Sequence, residues 1–211
     1  MCSYLSIDVD YWRNYDIDKA SKEMDRFFQR IVNLKVPIYV VKDHEELLKD
    51  VNTYQFDTLI NMDFHSDITS YIDHKDGIYE FHQLSNSYVR GDLNCGTWVN
   101  FVENRKNSEF LWIYPQEDCF QEEGRCEDIK DFWDTPNSDY HNWAQITCQK
   151  GWSEYIRWSK VRAVGIAISP FFLFDELEEY FLFEIYPRLG GCSTSESFEI
   201  NRLKVLNNMT F

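Results

Sequence analysis

Long apolar runs are missing from this sequence of 211 residues. A membrane-spanning helix needs about 20 consecutive, mostly apolar residues. The longest candidate, 163–174, is too short, and we expect it to form a buried strand and its exit. The first residues also lack the basic and apolar regions of a signal peptide. The sequence therefore predicts a cytoplasmic protein with no membrane partner.

Basic residues are scarce relative to acidic ones. Lys and Arg number 21 against 36 Asp and Glu, which gives a net charge of −15 at pH 7. Binding to a nucleic-acid backbone requires clustered Lys and Arg, so we expect no nucleic-acid partner. An acidic surface suits a cationic substrate, although it more often serves solubility alone.

The six cysteines are scattered and show no metal-binding spacing. In a reducing compartment they are expected to be thiols. This expectation includes Cys119 and Cys126, which are close enough in sequence to pair.

Strands and helices alternate over the first third of the sequence, where Asp16 or Asp18 can cap the first helix. The elements expected there are strands at 4–9, 38–41 and 58–62 and helices at 19–34 and 45–51. Strands that alternate with helices pair in parallel. With 44% hydrophobic residues and no internal repeat, the chain is expected to form one α/β domain over residues 1–211. Its architecture would be a three-layer α/β/α sandwich with a mostly parallel sheet.

The remaining sequence is less regular. The elements expected there are helices at 97–103, 152–158 and 175–186, strands at 109–114 and 161–169, and a last strand or strap at 199–206. The stretch 115–140 is rich in acids and is interrupted by Gly and Pro, which favours a long surface excursion or lid.

Acidic and histidine residues follow each of the first three predicted strands. These motifs are Asp8-Val9-Asp10, Asp43-His44 and the DFHSD segment at 63–67. Ligands of an open α/β sheet bind at the carboxyl ends of its strands, so the three motifs can converge. Taken alone, the aspartates can be strand-end caps and His44 an ordinary surface histidine. Their conjunction at successive strand ends predicts a metal site.

The donor set indicates which metal such a site would take. The candidate ligands are Asp8, Asp10, His44, Asp63, His65 and Asp67. Oxygen-rich sets favour hard ions over structural zinc, and two imidazoles beside several carboxylates point to Mn(II). Two such ions can activate a water molecule, which predicts a metal-dependent hydrolase.

The same three motifs resemble those of the ureohydrolase (arginase/agmatinase) superfamily. Their surroundings, LSIDVDYW, VVKDHEELL and LINMDFHSDI, look closer to its peptide arginase branch. The resemblance covers residues 4–12 and 38–68. Its Asp-x-Asp motif comes first in this chain, whereas in typical members it follows the other two.

The resemblance implies an arginase-like fold with two Mn(II) ions. It also implies conversion of arginine side chains in a ribosomally made precursor peptide to ornithine, with release of urea. In the roles that the resemblance implies, Asp8 and Asp63 bridge the two ions. His44 and Asp67 complete the ligands of one ion, and His65 and Asp10 those of the other. Asp67 also accepts a hydrogen bond from the hydroxide, and Asp43 supports His44.

Other roles are open at the level of sequence. His82, or else His74, is the candidate proton shuttle, and the segment 94–97 can place a backbone turn near the substrate. Candidates for the acid that pairs with the guanidinium group are Glu45, Asp175 and Glu176, and candidates for an aromatic wall are Trp12 and Trp98.

Three alternatives compete with a peptide arginase. They are a hydrolase of a free guanidino compound such as arginine or agmatine, a deacetylase-like amidohydrolase with a single zinc, and a non-enzymatic interaction module. The sequence predicts no oligomeric state.

Overall fold

A seven-stranded sheet, with every strand parallel to its neighbours, forms the centre of the protein in a computed structural model. The structure describes residues 2–65, 67, 72–73, 79–80, 93, 96, 98–115 and 143–208. Within this part of the chain, no helix is long and apolar enough to cross a membrane.

The strands are β1 Ser3–Asp8, β2 Ile38–Val41, β3 Thr58–Met62, β4 Ile72–Asp73, β5 Tyr79–Glu80, β6 Glu109–Tyr114, β7 Gln145–Lys150, β8 Val161–Ala167 and β9 Ser193–Thr194. The helices are α1 Ile17–Leu34, α2 Leu48–Val51, α3 Asp175–Tyr180 and α4 Glu196–Asn208. The order across the sheet is β7-β6-β3-β1-β8-β2-β9, while β4 and β5 form a separate antiparallel pair. The α/β class and the parallel sheet predicted from sequence are confirmed.

Two apolar cores lie on opposite faces of the sheet. Successive side chains of a strand point to opposite faces. Along β1, Leu5 and Ile7 join the core formed with α1 and the segment after β8. Tyr4 joins the second core, with Leu47 and α2. Helical layers thus cover both faces, consistent with the three-layer α/β/α, arginase-like architecture expected.

Amphipathic patterning and capping explain the first helix. The buried residues of α1 are Ala20, Met24, Phe27, Phe28 and Ile31. Spacings of three and four residues place them on one face, which packs on the sheet. Asp16 caps the helix by accepting a hydrogen bond of 2.9 Å from the backbone amide of Lys19.

The chain reverses its direction across the sheet after β2. From β1 it passes over β8 to reach β2, and it then returns past β1 to β3. Right-handed crossovers that run in opposite directions lie on opposite faces, which is why α1 and α2 cover different faces. Such a reversal leaves a crevice at the carboxyl ends of the strands, where ligands bind.

A glycine in β8 allows close packing beside this crevice. A Cβ atom on Gly165 would lie 2.7 Å from Tyr4 Oη and 2.8 Å from both methyl carbons of Leu47. Leu47 belongs to the 3-10 turn His44–Leu47 that precedes α2. The missing side chain therefore lets this turn, with His44, lie directly on the sheet.

Two expectations for the second half of the chain were wrong. Residues 152–157 form bends, turns and irregular backbone instead of a helix, and a 3-10 helix begins only at Trp158, because Trp152 and Trp158 both pack edge-on against Phe27. Residues 199–206 belong to α4 and form no strand or strap. The helix is capped by Ser195, whose Oγ accepts a hydrogen bond from the Phe198 amide.

Two strands of the seven-stranded sheet were not expected at all. The edge strand β7 is half-exposed and carries polar residues at both ends, so it lacks the apolar run of a buried strand. The strand β9 has only two residues. Most of the predicted excursion 115–140 lies outside the described residues, and the assignment of 1–211 to one domain stays a prediction.

Candidate metal centre

The predicted ligands lie at the carboxyl ends of three strands. In the sheet, β3, β1, β8 and β2 are consecutive, so their ends adjoin. Asp8 is the last residue of β1, Asp63 follows β3 directly, and His44 begins the turn after β2. The convergence expected from sequence is therefore present in the fold.

A first group of ligands surrounds the imidazole of His44. Its Nδ1 lies 3.4 Å from Asp8 Oδ2, 3.0 Å from Asp63 Oδ2 and 2.9 Å from Asp67 Oδ2. All four side chains are buried. Three strand ends thus bring a nitrogen and three carboxylate oxygens to one point in the interior.

The first group fits a cation better than a hydrogen-bond network. Among the described residues, His44 Nδ1 has no partner in hydrogen-bond geometry despite the three nearby oxygens. Buried polar atoms are nearly always satisfied, so such an exception requires an explanation. A metal ion bound by Asp8, His44 and Asp63 would supply the missing partner, since these residues offer ligand atoms within 4.8 Å of one another.

A second group adjoins the first and is more open. His65 Nδ1 lies 3.2 Å from Asp10 Oδ2 and 3.9 Å from Asp63 Oδ1. Asp10 Oδ2 is a further buried atom without a hydrogen-bond partner among the described residues. Asp10, Asp63 and His65 can together hold a metal ion. The side chain of His65 is 26% exposed, so this group faces the outside.

Asp63 belongs to both groups and turns one carboxylate oxygen towards each. Its Oδ2 faces His44, and its Oδ1 faces His65. The backbone amide of Asp63 donates to the carbonyl of Ile113, and its carbonyl accepts from Trp112 Nε1 at 3.0 Å. The neighbouring strand β6 therefore fixes the residue that the two groups share.

Polar neighbours hold the first group in place. Ser6 Oγ lies 2.7 Å from His44 Nε2, so this ring nitrogen is engaged while Nδ1 faces the carboxylates. Trp98 Nε1 donates a hydrogen bond of 2.6 Å to Asp67 Oδ2. Asn61 Nδ2 lies 3.4 Å from the same Asp67 oxygen. Such partners orient metal ligands in known sites.

A serine after β8 supports Asp8. Ser169 Oγ donates a hydrogen bond of 2.5 Å to Asp8 Oδ2, and the Ser169 amide donates to the carbonyl of Lys42. Ser169 has a φ of 42°, in the left-handed region that residues other than glycine rarely adopt. A conformation of this kind persists only where surrounding contacts enforce it, and it is concentrated at functional sites.

Sequence reasoning missed Ser6, Asn61 and Ser169. A usable signal existed for Ser6 and Asn61, since each is a polar residue inside an otherwise apolar, buried strand. Ser169 gave no such signal, because its contact with Asp8 depends on β8 lying next to β1 in the sheet.

Burial raises the pKa of three carboxyl groups at the site, those of Asp8, Asp10 and Asp63. For Asp63, burial and then the charge of Asp67 raise the pKa to about 7. Burial also raises the pKa of Asp8 and of Asp10, with further contributions from the charges of Asp10 and Asp63 respectively. Closely packed acids resist ionising together, and a cation placed among them favours the ionised forms.

The carboxylates raise the pKa of both imidazoles. Burial alone lowers the pKa of His65, but its contact with Asp10 and the surrounding charges raise this pKa to about 9. Burial likewise opposes the shift of His44, whose pKa Asp67, Asp63 and Asp8 raise well above its usual value. A metal ion must displace such protons when it binds.

Several predicted residues lie elsewhere or cannot be placed. His74 and His82 are outside the described residues, as are all of 94–97 except Gly96. Trp12 and Trp98, the candidates for an aromatic wall, are both fully buried, and Trp98 packs against His44 with 4.8 Å between the ring centres. Trp12 belongs to the core beside Phe27, because its bulk fills the space under α1.

The candidates for guanidinium binding differ in their surroundings. Asp175 and Glu176 are exposed at the start of α3. Glu45 is half-buried next to His44, and its Oε2 is buried without a hydrogen-bond partner among the described residues. Asp43, expected to support His44, precedes the turn His44–Leu47, and its amide donates to Glu46 Oε1.

Comparisons with protein-family models, curated proteins and solved structures find no match to this chain. Its fold and site define an α/β protein with two adjoining Asp/His groups, one buried and one partly open, that can hold metal ions.

We expect the metal-free protein to lose stability as the pH rises. The folded chain holds the protons of Asp63 and His65 up to about pH 7 and about pH 9. The unfolded chain releases them near pH ~3.9 and ~6.5. The native state therefore binds more protons than the unfolded state between pH ~3.9 and about 7 for Asp63, and between pH ~6.5 and about 9 for His65. As the pH rises through these two ranges, the free energy of unfolding falls. A divalent ion replaces the same protons, so its stabilising effect grows with pH.

Thermal unfolding at about pH 6 and about pH 8.5, with and without Mn(II), measures both trends. The variant His65→Asn removes one of the protons and should show a smaller dependence on pH. A metal-induced rise in Tm that is the same at both pH values would contradict the expectation.

Removal of the Ser169 hydroxyl is expected to weaken metal binding. Ser169→Ala deletes the hydrogen bond to Asp8, and losses of this kind cost roughly 10- to 100-fold in metal affinity. Isothermal titration with Mn(II) measures the change. Ser169→Gly, which relieves the backbone strain, should lose as much, since the hydroxyl is the cause. Ser195→Ala is the control, because this hydroxyl contacts Ser197 and the Phe198 amide instead. An unchanged affinity in Ser169→Ala would refute this role.

Proposed function

We propose that the protein is a manganese-dependent hydrolase that converts arginine side chains of a ribosomally made precursor peptide to ornithine and releases urea. The observation that carries this proposal is the pair of adjoining Asp/His groups that share Asp63. The resemblance of the three motifs to peptide arginases supports the choice of reaction. The net charge of −15 suits a substrate that carries a cationic group.

The donor set supports two Mn(II) ions. Four carboxylates and two imidazoles are rich in oxygen, which favours Mn(II) over ions that prefer thiolates. A pair of such ions, held by these residues, would supply Lewis acidity and a water molecule of lowered pKa. The grouping agrees with the roles that the resemblance implies, with His44 and Asp67 on one side of Asp63 and His65 and Asp10 on the other.

Asp8 is proposed to bind in both groups, although its carboxylate contacts only His44 of the first group among the two histidines. It is proposed to bridge both ions, and its Oδ2 lies 3.4 Å from His44 Nδ1 in the first group. Its other oxygen accepts a hydrogen bond from the amide of Asp10, a ligand of the second group. The carboxylate of Asp8 therefore contacts the first group with one oxygen and the backbone of a second-group ligand with the other.

The reaction consumes one water molecule. The water oxygen bonds to the guanidinium carbon, and the bond from that carbon to the side-chain nitrogen breaks. The departing nitrogen takes up a proton and becomes the amine of ornithine, while the carbon leaves as urea. Asp67, held by Trp98 Nε1, is proposed to accept a hydrogen bond from the attacking water. The proposed proton donor is His82, which lies outside the described residues.

The exposure of the ligands indicates the direction of substrate approach. Asp8, Asp10, His44, Asp63 and Asp67 are buried, whereas His65 is partly exposed. A side chain from solvent would thus reach the site past His65. A deacetylase-like reaction at one zinc ion is less well supported, because it leaves the second group without a function.

Urea release from a Mn(II)-loaded protein tests the proposed function. We expect urea from an arginine-containing peptide and little or none from free arginine. Asp67→Asn should abolish release, because it removes a proposed ligand and hydrogen-bond acceptor. Asp18→Asn, at an exposed position of α1, is the control and should keep full activity.

Equal release from free arginine would instead identify a hydrolase of free guanidino compounds. No urea from either substrate, with metal still bound, would reject the ureohydrolase proposal.

A further inference from the structure

Two phenylalanines follow β8 and lie on the open side of the metal centre. Phe172 packs against His65, with 5.4 Å between the ring centres. Phe171 packs edge-on against Phe172, at 5.2 Å. Because His65 is the partly exposed ligand, these two rings flank the side from which a substrate would enter.

Phe171 contributes almost nothing to the core. It is 90% exposed, more than any other large apolar side chain in the described part of the chain. Burial of such a side chain is strongly favourable. Nearly all of that free energy therefore remains available to a bound partner.

The backbone holds Phe171 in a defined position. The residues Pro170–Phe172 form a 3-10 turn, and the Phe172 amide donates to the carbonyl of Ser169 at 2.9 Å. Ser169 itself is fixed by its hydrogen bonds to Asp8 and to the carbonyl of Lys42. The same residue thus supports a metal ligand and sets the position of the exposed ring. A preorganised aromatic ring makes an effective anchor, because little conformational entropy is lost on binding.

The place of Phe171 defines what it can contact. The ring of Phe172 lies between Phe171 and His65 and contacts both. A substrate group that reaches His65 therefore does not by itself cover Phe171. Residues of an extended peptide are spaced by about 3.3 Å, so a residue adjacent to the reacting one, or one further along, can reach this ring. A free amino acid has no such neighbour.

We propose that Phe171 binds an apolar side chain that flanks the target arginine, and that this contact makes the enzyme select a peptide over free arginine. The identity of the reacting side chain rests on the proposed function. The contact itself rests on the position and exposure of Phe171. Aromatic side chains, Phe among them, are enriched where proteins bind their partners.

Binding of two fluorescent peptides to the Mn(II)-loaded protein tests this proposal. Both carry one central arginine, flanked by leucines in one peptide and by serines in the other. We expect the wild-type protein to bind the leucine-flanked peptide roughly tenfold more tightly. In Phe171→Ala the preference should disappear. Leu203→Ala, at an exposed apolar position of α4, is the matched control and should retain the preference.

Urea is measured in the same samples, so the two proposals can fail separately. A flank preference that is lost in Phe171→Ala, without urea from any peptide, supports the contact and rejects the reaction. Urea release with equal affinity for both peptides rejects the contact and leaves the reaction in place. A preference that survives in Phe171→Ala, or is lost equally in Leu203→Ala, also overturns the role of Phe171.

Discussion

Four carboxylates buried side by side are the constraint on which the rest of this site depends. Burial of a charge is costly unless a partner compensates it. In the described part of the chain, the ion pairs of Asp8, Asp10, Asp63 and Asp67 are all with His44 and His65. Two imidazoles cannot neutralise four ionised carboxylates. Burial and the neighbouring charges raise the pKa values of Asp8, Asp10 and Asp63, and divalent cations would resolve the imbalance.

The fold makes this concentration of charge possible. Reversal of the chain across the sheet after β2 brings β3, β1, β8 and β2 together, so three acidic strand ends and Ser169 share one crevice. Gly165 lets the turn with His44 approach the sheet closely. The ligands thus sit on rigid strand ends and on a packed turn, which is the arrangement that a preorganised site requires.

Local sequence determined the parts of this structure that were predictable. The strands 58–62 and 109–114 are continuous, mostly apolar runs, and both were predicted with their observed bounds. All six predicted ligands lie in the two groups or in direct contact with them, because each motif directly follows a buried strand. Long-range packing determined what was missed. Ser169 meets Asp8 only through the strand order, and Trp152 leaves the expected helix because it packs on Phe27.

The number of bound ions tests the central claim of two metal groups joined by Asp63 most directly. Native mass spectrometry of the Mn(II)-loaded chain counts them. We expect two ions in the wild-type protein, one in His65→Ala and none held tightly in Asp63→Asn, with Asp18→Asn as the unchanged control. One ion in the wild-type protein, or two in Asp63→Asn, would contradict the shared-carboxylate site.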